Sequence, residues 1–504
     1  MTQVHNSPKA WYKNDLVIVL MAFAIPLAIR AIPEILMGAY VTGFDTMGHY
    51  VPTILLWLSG KMDVETILGT APLFYSIVVL LVSSGAAITA VLKVLSVLLM
   101  GFLGLSVFGF AKKGLGWSSY KSLAVALLGT LYFVSLRISW DMLRNELAII
   151  LLFVVLLLLN VEKSFSKPIN RYALLSVTMC LLVFAHQMVS VIMFGIIALT
   201  MIYDYFKSKR GEITKLLITS VPALVIFLGL FYLSPEVSEF RIIFGFSQND
   251  GWLAIFGYPS YSALLTSLAG FFVFCFLPIL PFIIIGARRL RNFQLYAWVL
   301  LGFIGALIPL VSPSNLRWVM MLTYPFAFFV VEALSQLRLV SWKRLRISLR
   351  KVAAVYLIVM VAVLSFGFIL MPPSSPLPYF DANVYNGYVY QMPTSMLQNT
   401  VSITDCQGTV TALQWLKGNM TNNDVLLSHR AFYGWALSAL NSDQIILYEY
   451  DSPTNAAQTA AQAAHGQIYL IWWVDGQGWY GQPTVPSSFH EVYQSGEIAI
   501  YKYF

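Results

Sequence analysis

Charge is what this sequence has least of. Only 11% of its 504 residues are Asp, Glu, Lys or Arg, against about 25% in a soluble domain. With 58% hydrophobic residues and a mean hydropathy of +0.74, that scarcity excludes a water-soluble globular chain and a disordered one. Cysteine is nearly missing as well. Cys180, Cys275 and Cys406 are too few and too scattered for a disulfide framework or a zinc spacing, so each is read as structural. The period-2 alternation of an outer-membrane barrel is also absent. Acidic residues are fewer than basic ones, 23 against 31, but the surplus falls in short clusters between apolar runs. It forms no continuous basic face, and no nucleic-acid partner is implied.

What is present is a series of apolar runs of roughly 18 to 25 residues, the length a helix needs to cross about 30 Å of hydrocarbon. Spans are expected at 16–33, 86–110, 122–137, 145–161, 172–186, 188–206, 215–233, 263–286, 296–311, 317–336 and 352–370. The fold class is therefore an all-α polytopic membrane domain of about eleven helices, multi-pass in the cell membrane. Basic clusters mark cytoplasmic loops. They stand at Lys9 and Lys13, Lys112 to Lys121, Lys163 to Arg171, Lys207 to Lys215, Arg288 to Arg291 and Arg338 to Lys351. Alternation between them puts the N-terminus inside and the C-terminus outside. Residues 71–84 are apolar but short for a span, and are read as an interfacial or re-entrant helix. The first segment ends in Arg30-Ala31-Ile32-Pro33 without a small-residue cleavage site, which reads as an uncleaved anchor.

The expected domains are 1–371, a membrane domain with its first outer loop at 34–85, and 372–504, an extracytoplasmic α/β domain. The boundary is the helix-breaking Pro372-Pro373-Ser374-Ser375-Pro376-Leu377-Pro378. Beyond it, helices near 408–418, 431–440 and 455–464 alternate with strands near 424–428, 444–450, 467–474 and 489–503, a pattern of α/β layering.

Candidate chemistry gathers at the outer ends of the predicted spans. Arg30, Arg137, Arg144, Arg241 and Arg317 stand there against the positive-inside bias, and charge near a membrane is costly without a partner or a task. A guanidinium suits phosphate through two parallel charge-assisted hydrogen bonds. Asp45, His49, Asp141, Glu146 and His186 are expected at the same level. Each also has a plain structural reading. Asp45 could cap the helix that follows, His49 could be a surface residue, and Arg317 could snorkel. Arg137, Asp141, Arg144 and Glu146 could form a local ion-pair network, and His186 could be a packed or capping residue.

Several stretches carry a family resemblance. They are Gly43-Phe44-Asp45 with His49-Tyr50, Ala71-Pro72-Leu73-Phe74-Tyr75, the run Arg137 to Glu146, Asn315-Leu316-Arg317-Trp318, Ala412-Leu413-Gln414-Trp415-Leu416 and Gly434-Trp435-Ala436. In their order along the chain they resemble the C superfamily of glycosyltransferases. These polytopic enzymes use polyprenyl-phosphate sugars and include protein O-mannosyltransferases, lipid A aminoarabinose transferases and oligosaccharyltransferase catalytic subunits. The resemblance implies an integral membrane glycosyltransferase of hexosyl or mannosyl type, with Asp45 as general base on the acceptor hydroxyl. It implies donor-phosphate binding by Arg317, Arg137 and Arg144, and substrate binding or assistance by His49, His186, Asp141 and Glu146. The partners would be a polyprenyl-phosphate-linked sugar, the lipid bilayer and an acceptor glycan, lipid or protein. Thr46, in place of a second acid after Asp45, departs from the O-mannosyltransferase pattern. No Asp-x-Asp triplet or oligosaccharyltransferase-type Trp-Trp-Asp-Tyr-Gly is found, only Trp472-Trp473-Val474-Asp475-Gly476. Single-sugar transfer is the better fit, with no metal site assigned, no cofactor required by the sequence, and a divalent metal left open.

Two other classes are carried forward. A transporter or flippase would show helix breaks near the bilayer centre, and Pro222, Pro278 and Pro281 are candidates for such breaks. A receptor or assembly factor would use the external domain as a binding module.

Overall fold

The computed structural model describes residues 8–161, 168–233, 260–308, 315–337, 339–342, 345–381, 392–448, 452–463, 466–474 and 485–504. Arg241 and Asp475 lie outside them. Eight helical segments among the described residues are long and apolar enough to cross a membrane: Asp15–Leu36, Ile88–Gly114, Leu143–Asn160, Pro168–Ala185, Gln187–Phe206, Arg210–Tyr232, Asn315–Gln336 and Leu349–Leu370. Two further helix pairs pass together but are bent at a break, and the number is ten if each pair is one span. The chain is a polytopic helical membrane protein.

The differences from eleven straight spans can be traced to particular residues. The helix expected over 122–137 is Ser119–Leu131 followed by Phe133–Asp141, bent by 58°. Tyr132 between them takes an extended ψ of 137°, and its hydroxyl donates to the Cys275 carbonyl at 2.6 Å. The Leu131 carbonyl accepts from the Ser365 hydroxyl, so this part of the break is satisfied internally. The span expected over 263–286 is Tyr261–Phe276 and Leu280–Ala287, bent by 91°. Pro278 lies in this break and has no N–H to continue the ladder, and its carbonyl accepts from the Tyr356 hydroxyl. Pro281 falls in the first turn of the second helix, where proline is tolerated. Pro222, by contrast, sits inside the unbroken Arg210–Leu233 helix. The run at 296–311 gives a helix of only 15 residues, Phe293–Leu307, and residues 71–84 give Leu73–Ser83, 11 residues long. Within the last basic cluster, β1 (Leu339–Trp342) pairs antiparallel with β2 (Leu345–Ser348), a hairpin the apolar pattern did not signal.

The chain divides into two compact units. One holds Met1–Ala31, Asp63–Phe74 and Leu95–Phe366; the other holds Ile32–Met62, Tyr75–Val94 and Gly367–Phe504. In the first, glycines let helix backbones touch. A Cβ on Gly286 would lie 1.7 Å from the Phe329 carbonyl oxygen, and one on Gly104 2.2 Å from that of Ala22, the close approach that small residues permit between membrane helices. Around these contacts Phe110, Phe153, Trp298 and Phe328 pack ring to ring, with centroids 5.4 to 6.0 Å apart.

The second unit contains a five-stranded sheet in the order β4-β3-β5-β7-β6. Its strands are β3 (Val425–His429), β4 (Ile445–Tyr448), β5 (Ile468–Trp473), β6 (Phe489–Ser495) and β7 (Ile498–Tyr503). β3 pairs parallel with both β4 and β5, whereas β7 runs antiparallel to β5 and β6. Parallel strands with both faces covered read as continuous apolar runs, as Val425-Leu426-Leu427 and Ile468–Trp473 do. The strand expected over 489–503 folds back at Gly496, whose φ of +61° makes the turn. Helices Ile403–Asn419, Arg430–Ala439 and Pro453–Gln462 accompany the sheet.

Candidate functional site

The Asp45 stretch belongs to the second unit and is held by residues far away in sequence. Gly43 turns the chain with φ +95°, and its N–H donates to the Gln398 carbonyl at 3.1 Å. The Asn399 amide donates to the Val41 carbonyl at 3.0 Å. Residues Thr46–Tyr50 then form a π-helical turn, a widened geometry often found at functional sites. The helix Arg430–Ala439 packs directly onto it: a Cβ on Gly434 would meet the Met47 carbonyl oxygen at 1.9 Å. Trp435 Nε1 donates to Thr400 Oγ1 at 3.1 Å and its ring lies edge-on to Tyr40.

Asp45 has helical backbone angles and its side chain makes no capping hydrogen bond, so the capping reading does not describe it. Asp63 supplies the contrast, because its carboxylate accepts from the Thr66 N–H at 2.7 Å and caps the next helix. The Asp45 side chain is 19% exposed and that of His49 39%, which leaves both within reach of a substrate. Their nearest oxygen and nitrogen, Oδ1 and Nε2, are 3.7 Å apart. The same Nε2 lies 3.0 Å from Nη1 of Arg430.

The remaining candidates belong to the first unit. Arg137 and Asp141 form a buried ion pair, and the Arg137 guanidinium also lies over the Trp140 ring, 5.0 Å from its centroid. Arg30 is fully buried and donates from Nε and Nη2 to the Ser139 carbonyl at 3.2 and 3.1 Å. Glu146 lies near it, and its two carboxyl oxygens are buried without a hydrogen-bond partner among the described residues.

Arg144 and Arg317 share a different neighbour, His186, which feels both charges. His186 occupies the single-residue turn between two spans, and its Nδ1 accepts from the Met188 N–H at 3.1 Å, capping the Gln187–Phe206 helix. Burial first, then the two arginines, hold its imidazole well below the usual histidine range. It is therefore neutral at pH 7. With Nδ1 accepting, Nε2 carries the proton as a donor.

Arg144 Nη1 donates to the Thr70 carbonyl, and Gln187 Nε2 donates to that of Gly69 at 2.9 Å. The next residue, Ala71, is buried with φ +55°, a left-handed conformation that costs an L-residue about 1 kcal/mol or more. Thus the Ala71-Pro72 motif is a strained turn latched at its two preceding carbonyls.

Sequence reasoning missed Arg430, Gln187 and the Gly69 and Thr70 carbonyls. No local signal marks Arg430 as a neighbour of His49, 381 positions away. Among the described residues, no group of three His, Cys, Asp or Glu is arranged to hold a metal ion.

The fold is that of a multi-pass helical membrane protein with a small α/β sheet in its C-terminal region. It is shared with the crystal structure of ArnT from Cupriavidus metallidurans bound to undecaprenyl phosphate. That chain is 12% identical, with a TM-score of 0.52 over 98% of each chain. No protein-family model matches the sequence, and no curated protein matches it.

Proposed function

We propose that this protein is a membrane glycosyltransferase that moves a single sugar from a polyprenyl-phosphate donor to an acceptor hydroxyl on the extracytoplasmic face. The observation that carries the proposal is the end-to-end likeness of fold to a structure holding undecaprenyl phosphate. The order of motifs along the sequence points the same way. In this reading the N-terminus is cytoplasmic and the C-terminal region extracytoplasmic, in keeping with the basic clusters.

The reaction is a direct displacement at the anomeric carbon. The acceptor oxygen forms the new bond while the sugar–phosphate bond breaks, and the polyprenyl phosphate leaves with the electron pair. Asp45 takes the acceptor proton as general base. Arg144 and Arg317 bind the donor phosphate, and the Nε2–H of neutral His186 is a third donor beside them; such donors stabilise charge as it develops on the leaving oxygen. Arg137 already has Asp141 as its counter-ion, so it reaches the donor only by giving up that pair. Asp141 assists by holding Arg137, Glu146 as a buried acid near Arg30, and His49 by lying next to the base.

The two bent spans also fit a transporter, whose substrate sites use discontinuous helices. Purified protein in liposomes with a panel of undecaprenyl-phosphate-linked hexoses distinguishes the two. Release of undecaprenyl phosphate with glycosylation of an acceptor supports the transferase. Movement of the lipid-linked sugar between leaflets without transfer overturns it.

A further inference from the structure

The Arg430–His49 contact allows only one division of protons. A guanidinium has five N–H donors, no acceptor, and does not deprotonate in proteins. At 3.0 Å, Arg430 Nη1 must therefore donate to His49 Nε2, which leaves Nε2 as the lone-pair nitrogen. A neutral imidazole then keeps its proton on Nδ1.

The Asp45 carboxylate stands 3.7 Å from the same Nε2. That is too long for a hydrogen bond, and with Nε2 accepting there is no proton to share. Were the proton on Nε2 instead, it would face the Asp45 carboxylate as a donor, and a hydrogen bond to the charged form makes a carboxylate a weaker base.

Arg430 is well placed for such a task. It is the first residue of the Arg430–Ala439 helix, whose N-terminus is capped by His429 Nδ1 accepting from the Ala431 N–H. Gly48 lies on the same contact: a Cβ there would meet Thr400 Cγ2 at 3.4 Å and Arg430 Cγ at 3.8 Å. A side chain on a rigid element, locked by packing, holds geometry that a loop residue would not.

We propose that Arg430 is a positioning residue. By donating to Nε2 it holds His49 as the neutral Nδ1–H tautomer, so that Nε2 has no proton to give the Asp45 carboxylate 3.7 Å away. Its catalytic consequence rests on the glycosyl-transfer reading above; its effect on the His49 tautomer does not.

The test uses the full-length protein in detergent with 15N-labelled histidine, the His49 signals being assigned by their loss in His49→Gln. The expected result is a lone-pair signal at Nε2 and a protonated one at Nδ1 in the parent. In Arg430→Met, proton occupancy should move to Nε2, and Arg430→Lys, which keeps a donor-only cation, should restore the parent pattern. In the transfer assay, Arg430→Met should lose roughly tenfold in kcat, less than the 10²–10⁴-fold a general base contributes, because the base itself is kept. Its KM for the lipid-linked donor should stay unchanged, with most of kcat recovered in Arg430→Lys. Thermal unfolding of each variant separates this from a folding defect.

A protonated Nε2 in the parent overturns the inference. So does Arg430→Met with parental kcat, or an equal kcat loss in folded Met and Lys variants. If the parent shows the expected tautomer but transfers no sugar, the tautomer assignment stands and the glycosyltransferase reading fails.

Discussion

The Cα of Gly434 lies so close to the Met47 carbonyl that an added methyl carbon would sit 1.9 Å from that oxygen. The helix carrying Arg430 thus rests on the turn that follows Asp45 with no side chain between them. Gly434→Ala tests the contact. Alanine should favour an exposed helix by about 1 kcal/mol, but here overpacking should cost more, typically about 1–3 kcal/mol. Thermal unfolding of the full-length protein should show a net loss of stability, together with reduced transfer. A neutral or stabilised variant would mean that the two backbones are not in contact.

Asp45→Asn keeps the shape of the side chain and removes its basicity. If Asp45 is the base, kcat should fall by about 10²–10⁴-fold, while binding of undecaprenyl phosphate alone stays near the parent value. Asp45→Glu should recover part of the loss. Parental turnover in Asp45→Asn would remove the residue from proton transfer.

His429 predicts a pH dependence in the C-terminal region. Its imidazole is buried against Tyr448 and Trp472 and caps a helix through Nδ1. Burial, with Arg430 adjacent, pushes its pKa down to about 4. A depressed histidine stabilises the fold above its unfolded pKa of about 6.5, and that contribution is lost as pH falls toward about 4, where the unfolded chain binds the extra proton. The loss amounts to roughly 3 kcal/mol at most. Unfolding followed by tryptophan fluorescence should show stability falling through this window in the parent. In His429→Asn, which retains a capping oxygen, the fall should be smaller by that amount. Identical pH profiles would exclude His429 as the source.

The membrane helices and the sheet strands were largely legible because their signals are local. The run Ile468–Trp473 reads as a buried strand on its own, and Leu349–Leu370 as a span. What was not legible depends on contacts distant in sequence. The break at Tyr132 is joined to a carbonyl at Cys275, 143 positions on, and no propensity at Tyr132 itself marks it. The bend near Pro278 had its proline in view, but Pro222 carries the same signal and sits in an intact helix. The candidate site shows the same division. Asp45, His49, Arg144, His186 and Arg317 stood out as charges at helix ends, where a membrane makes charge expensive. Arg430 carries no such signal, because its neighbour His49 lies 381 positions away.

Arg144 and Arg317 are separable from Arg137 by the partners they keep. Arg137 is paired with Asp141, whereas Arg144 and Arg317 both lie near the His186 imidazole, where an anionic donor would meet two guanidiniums and the Nε2–H. Replacing Arg144 or Arg317 by alanine should weaken undecaprenyl-phosphate binding by roughly 10- to 100-fold, the worth of a hydrogen bond to a charged group. Lysine should recover only part, because it lacks the fork. His186→Asn should keep the helix cap but lose the Nε2 donor, giving a smaller loss in donor affinity with little change in stability. Arg137→Met should instead act mainly on folding, since it takes its paired guanidinium from a buried Asp141. Donor binding and thermal unfolding measured on the same four variants check the division. If Arg137→Met, while folded, loses more donor affinity than Arg144→Ala and Arg317→Ala, the phosphate belongs with Arg137.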